Sequence, residues 1–157
     1  MNVRDLIKPE HVIARLRAPT KDSVLQLLAK HAASALAMDA PALADLLVAR
    51  EMLGSTGLGR GIAVPHTLVK GLPGFFGVLA RLERPIDFAA IDALPVDVIV
   101  LLLSPANAGK THLAALAAIT RRLRDTRVAD GLRAAPDPQH LYEVFVGSTQ
   151  PTAARAS

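Results

Sequence analysis

Val96-Asp97-Val98-Ile99-Val100-Leu101-Leu102-Leu103 is the stretch from which the fold is read. From Val98 onward no position is polar, so the alternation of a half-exposed strand is missing and both faces must be covered. The stretch therefore predicts a central strand with helices on two sides. It is far short of the ~20 apolar residues that a membrane helix needs. Ser104-Pro105-Ala106-Asn107 then supplies a turn.

Working outward, a helix is predicted from about Thr111 to Arg124, with His112, Leu116, Ile119 and Leu123 on one face. A shorter helix follows over Val128 to Ala134. After Pro136-Asp137-Pro138 comes a last one, with Leu141, Val144 and Phe145 turned inward. Residues 148–157 read as a flexible tail, leaving one domain over 1–147. Upstream, Phe75 to Leu82 is a strand and Ile62 to Val64 a short one. Asp39-Ala40-Pro41 carries the capping chemistry of a helix start, and Gly54 ends that helix. Leu43, Leu46, Leu47 and Arg50 fall on its inner face, which puts Arg50 in the last turn. Thr20 caps an earlier helix with Val24, Leu27, Leu28 and His31 in register. A strand or turn is expected around Val12 to Leu16. Helices and strands alternate without a repeat, so the fold class is α/β: a single domain with a mixed β-sheet flanked by helices on both faces.

The net charge is +4, and basic residues gather late, at Arg121, Arg122, Arg124, Arg127 and Arg133. Arginines there complement a helix dipole, or offer an acidic partner a docking surface. Aromatic residues make up 3%, too few for stacking platforms, and no nucleic-acid motif occurs, so no nucleic-acid partner is expected. The chain has no cysteine. That excludes a disulfide framework and fits a cytoplasmic protein. Met1-Asn2-Val3-Arg4-Asp5 carries no apolar export signal, and no membrane insertion is expected.

The chemistry concentrates in Gly54-Ser55-Thr56-Gly57-Leu58-Gly59-Arg60-Gly61-Ile62-Ala63-Val64-Pro65-His66. Glycines let a backbone turn its N–H groups toward an anion. The loop lacks the Gly-Lys-Ser/Thr ending of a P-loop. It also precedes a strand, unlike a dinucleotide fingerprint, which opens a helix. On its own the pattern fits a plain tight turn. The ending changes the reading: Pro65 holds the backbone extended and sets His66 at a strand exit, where α/β sheets bind ligands. Of the other histidines, His11 and His140 read as surface residues and His31 as a helix-face residue. His112 follows Lys110-Thr111 in a first helical turn, where an anion is favoured. No zinc-ligand spacing and no nucleophile elbow occur, and Asp87, Asp92 and Asp97 read as turn and cap residues.

Arg50-Glu51 ahead of Gly-Ser-Thr-Gly-x-Gly-x-Gly-x-Ala-x-Pro-His resembles the active-site segment of phosphotransferase-system enzyme IIA domains of the fructose/mannitol class, most closely their nitrogen-regulatory branch. Pro85-Ile86-Asp87-Phe88, Pro95-Val96-Asp97 and Lys110-Thr111-His112-Leu113 agree with it, and the resemblance spans residues 5–147. It implies a phosphohistidine intermediate. His66 would accept the phosphoryl group on Nε2 from a phosphorylated HPr-like carrier, with His112 as stabiliser and Arg50 as a nearby positive charge. Arg60 stands where members often carry Asn or His. Transfer between two imidazoles needs alignment and charge stabilisation, and the scheme calls for no metal or cofactor.

The resemblance also implies an output through regulatory target proteins, such as kinases or potassium transport proteins, with nitrogen-linked regulation. The alternatives are a sugar-specific enzyme IIA passing phosphate to a separate permease IIB domain, and an interaction module whose histidine is idle.

Overall fold

The computed structural model describes residues 1–147, so the tail expected at 148–157 lies outside the described residues. A single 3-10 turn, Val3–Asp5, leads into β1 (Ile7–Leu16), followed by α1 (Lys21–Leu36) and α2 (Ala40–Met52). Then come β2 (Gly57–Gly59), β3 (Ile62–Ala63), β4 (His66–Val69), β5 (Phe76–Ile86) and β6 (Val96–Pro105). Three helices end the described residues: α3 (Lys110–Arg124), α4 (Thr126–Ala134) and α5 (Pro138–Val146).

β6 is the central strand the sequence predicts, and every residue from Val98 to Leu103 is at most 1% exposed. It pairs antiparallel with β5 and parallel with both β3 and β4, within a six-stranded sheet ordered β1-β5-β6-β3-β2. α1 and α2 pack a core containing Leu28, Leu47 and Leu101 on one face, and α3, α4 and α5 pack one containing Ile119, Leu132 and Phe145 on the other. The mixed sheet with helices on both faces is therefore the architecture found.

β3 and β4 keep one register along β6, since Ile62 and Ala63 lie opposite Val98 and Ile99, and His66 lies opposite Leu102. They are one line of strand interrupted at Val64-Pro65. Proline has no N–H to give a ladder, although its carbonyl still accepts from the Leu102 N–H at 3.0 Å. His66 thus heads a second strand, where the sequence pointed only to a strand exit.

Two other differences have local causes. β1 starts at Ile7, ahead of the expected Val12, because Lys8-Pro9-Glu10 masks its pattern. Among the described residues it pairs only with β5, and its register shifts between Ile7 and Val12. Edge strands tolerate proline and charge at such irregularities. In α1 the buried residues are Val24, Leu25, Leu28, Ala29, Ala32 and Ala33, while Leu27 is 37% exposed. Small alanines let α1 pack closely within its core, rotating the buried face away from the one that larger residues suggest. The expected caps at Thr20 and Asp39 do form: Thr20 makes a capping box with Ser23, and the Asp39 carboxylate accepts from the Ala42 N–H. Asp137 caps α5 in the same way, accepting from the His140 N–H.

Candidate active site

His66 is half-buried at the head of β4, and its Nδ1 lies 2.7 Å from the Val64 carbonyl oxygen. A carbonyl only accepts, so Nδ1 carries the hydrogen and donates it. The lone pair is therefore on Nε2. Burial holds the ring below the ordinary histidine value, and Arg50 pushes it further down. The Val64 bond and Glu51 pull it back up. Burial wins, which keeps the imidazole neutral at pH 7.

His112, in the first turn of α3, faces it with ring centroids 5.7 Å apart and planes tilted by 47°. Its Nδ1 is 2.7 Å from the hydroxyl of Ser104, a residue on β6 with no solvent exposure. Burial, then the charge His66 can carry, lowers its pKa too. No side chain caps α3, whose N-cap is Gly109. Among the described residues both rings therefore have Nδ1 tied back into the fold and no hydrogen bond at Nε2.

Arg50 differs from its expected placement on the buried side of α2. It is half-buried, and its guanidinium donates to the Gly54 carbonyl at 2.9 Å, closing the helix end. The buried charge in that turn is Glu51, 7% exposed. Its carboxylate takes the Thr56 N–H at 3.1 Å, the Thr56 hydroxyl and, at 2.7 Å, the Lys21 ammonium. Lys21 also donates to the Phe88 carbonyl and lies 4.6 Å from the centre of that ring. The start of α1 and the end of α2 thus grip the glycine loop from below. Nothing local in the sequence marks Glu51 and Lys21 as partners; the Arg50-Glu51 pair in the motif was the available signal.

The loop's amides serve the fold more than an anion. Thr56 N–H goes to Glu51, Gly57 N–H to the Ser55 hydroxyl at 3.1 Å and Arg60 N–H to Asp92 at 2.8 Å. The anion-cradling role expected of this backbone is taken, at those three positions, by internal acceptors. Arg60 itself sits in the left-handed region at φ 58°, where Asn or Gly is at ease and Arg is strained. Asp92 holds its N–H and Arg133 its carbonyl, the latter at 2.7 Å. Arg133 also pairs with Asp97 at 3.0 Å. Asp87 and Asp92 act as the turn caps expected, and Asp97 is an ion-pair partner instead. Gly61, at φ 81°, could carry no Cβ without meeting the Arg133 guanidinium at 2.6 Å.

The late arginines divide. Arg122 donates to the Val144 and Phe145 carbonyls at the end of α5, and Arg133 is committed as above. His11 is no simple surface residue, because its Nδ1 lies 3.1 Å from His31 Nε2. His140 does lie at the surface, paired with Asp137. Among the described residues no three His, Cys, Asp or Glu side chains converge as metal ligands would, and no helix is long and apolar enough to cross a membrane.

Fold and site together define an α/β protein that holds one imidazole with its Nε2 lone pair free against a second imidazole on a helix N-terminus. The chain belongs to the family described as phosphoenolpyruvate-dependent sugar phosphotransferase system, EIIA 2, which matches residues 5–147. It is 44% identical over 145 residues to a nitrogen regulatory protein of Bradyrhizobium diazoefficiens, covering 92% of this chain and 95% of that one. A fructose-specific EIIA component of Haloferax volcanii is 32% identical over 149 residues, covering 92% and 97%. The crystal structure of nitrogen regulatory protein IIA-Ntr from Neisseria meningitidis superposes with a TM-score of 0.85 at 26% identity, covering 89% of this chain and 96% of that one.

Proposed function

We propose that the protein is a phosphoryl carrier whose acceptor is Nε2 of His66, charged by a phosphorylated HPr-like protein. The observation that carries this reading is the 2.7 Å bond from His66 Nδ1 to the Val64 carbonyl, which puts the lone pair on the free side of the ring. In the step, that lone pair forms a bond to phosphorus as the donor imidazole's N–P bond breaks. The donor leaves with its electron pair, and His66 keeps its Nδ1 proton, so no proton has to move. His112 and Arg50 stabilise the phosphoryl oxygens. A guanidinium at ~4 Å contributes about 4 kcal/mol at an effective dielectric of 20, before desolvation. That favours the charged state without trapping it.

The output is regulatory, through protein binding. Phosphorylation adds about −1.5 to −2 charges. The segments bearing the site also carry exposed apolar side chains: Met52 and Leu53 before the loop, Ile91 and Leu94 beside Asp92, and Leu113 beside His112. Adding charge to such a face changes which proteins dock there. The nitrogen regulatory relative supports a regulatory output, and the family resemblance makes kinases or potassium transport proteins candidate targets. The fructose-specific relative supports a second reading, in which His66 hands its group to a separate permease IIB domain. The experiment is labelled transfer from phosphoenolpyruvate through enzyme I and an HPr-like protein. Acid-labile label on the wild type and none on His66→Ala is expected; label retained in the variant contradicts the assignment. Onward flow to a IIB domain would select the second reading.

A further inference from the structure

We propose that Ser104 is a positioning residue whose hydroxyl donates to Nδ1 of His112, holding that ring in the tautomer with the hydrogen on Nε2. The inference rests on the carrier reading above and deepens it. A hydroxyl and an imidazole nitrogen at 2.7 Å can bond in either direction. If His112 Nδ1–H donated to Ser104, the serine's own hydrogen would need another acceptor. Among the described residues the ring is the only hydrogen-bonding partner of that hydroxyl, and Ser104 has no exposure through which water could serve. A buried donor without an acceptor is the costlier arrangement. Donation by the serine leaves only spare lone pairs.

The consequence is chemical. His66 offers a lone pair on Nε2, fixed by the Val64 carbonyl. With Ser104 donating, His112 offers an N–H from its own Nε2 side, across a centroid separation of 5.7 Å. One ring is thereby a nucleophile and the other a donor to the phosphoryl oxygens. The opposite tautomer would turn a second lone pair toward those anionic oxygens and repel them. A carbonyl and a hydroxyl, chosen at corresponding ring positions, set two histidines to opposite tasks. Such outer partners are known to orient imidazoles that act through their other nitrogen.

The test is long-range 15N–1H correlation of the imidazoles in the full chain near pH 7.5, on wild type and Ser104→Ala, with transfer to His66 measured in parallel. The expected wild-type result is His112 as the Nε2–H tautomer and His66 as the Nδ1–H tautomer. In Ser104→Ala, His112 should become a tautomer mixture and transfer should slow about tenfold, with the His66 signals unchanged. Wild-type His112 bearing its hydrogen on Nδ1, or an unchanged His112 tautomer in the variant, overturns the proposal. A wild type with the expected tautomers that takes no label on His66 would instead refute the carrier reading while upholding the direction of the Ser104 bond.

Discussion

The molecule holds two pairs of facing imidazoles, and only one has the makings of a site. His11 and His31 lie with ring centroids 5.3 Å apart, His66 and His112 with theirs 5.7 Å apart. In the first pair the nitrogens bond to each other at 3.1 Å, joining β1 to α1, and His11 also packs on Phe76. One nitrogen of each ring is spent on the other ring. In the second pair each Nδ1 is tied to a different group, Val64 or Ser104, so the two Nε2 sides stay available. Proximity of histidines does not make a reactive centre; what the remaining nitrogens are bonded to does.

The sharpest way to break this comparison is deletion. His66→Ala should abolish acid-labile labelling, since no nucleophile remains, whereas His11→Ala should leave labelling intact and cost about 1 kcal/mol of stability in a denaturant titration. Equal loss from both would erase the distinction. His112→Ala should still take label, but release it to an acceptor about 100-fold more slowly, the scale of one lost transition-state donor. Rapid-quench measurement of onward transfer reads this directly. Glu51→Ala strips the acceptor from Lys21 and Thr56 beneath the loop. Removing one partner of a buried, hydrogen-bonded ion pair should cost about 3 kcal/mol, visible as a lowered denaturant midpoint.

Acidification distinguishes the pairs more gently. His11, His66 and His112 are all held below their ordinary 6.5, mainly by burial. The unfolded chain therefore takes up protons first as pH falls. Their contribution to stability is whole above about pH 6.5 and declines on acidification from there. Denaturation midpoints between pH 8 and 5 should follow that course, and either His11→Gln or His66→Gln should flatten it partly. A midpoint that rises on acidification over that range would contradict the burial argument. The smallest effect is expected at the loop's strained corner, where Arg60→Asn should add about 0.5 kcal/mol by easing a left-handed residue.

What the sequence made legible follows from how local each signal is. Val96 to Leu103, the caps at Thr20 and Asp39, and the face of α3 carrying His112 are written within a few residues of themselves. The two histidines of the candidate site were legible because Pro65 and the glycines flag the backbone around one, and a helix start flags the other. Ser104, Glu51 with Lys21, and Asp92 with Arg60 were not. They are joined to the site across 8, 30 and 32 positions, and only the folded sheet brings them together. The sheet's edges were equally hidden. β2 is three glycine-rich residues, and β1 begins across a proline whose missing N–H an irregular edge strand can accommodate. Three of the loop amides expected in a cradle were taken for a related reason, since Glu51, Ser55 and Asp92 claim the N–H groups of Thr56, Gly57 and Arg60.

The most direct measurement is phosphorus–nitrogen correlation by NMR on the 15N-labelled protein after charging from phosphoenolpyruvate. The account predicts one phosphohistidine, at His66, with phosphorus bonded to Nε2 and hydrogen still on Nδ1. Phosphorus on Nδ1 of His66, or on any other side chain, would contradict it.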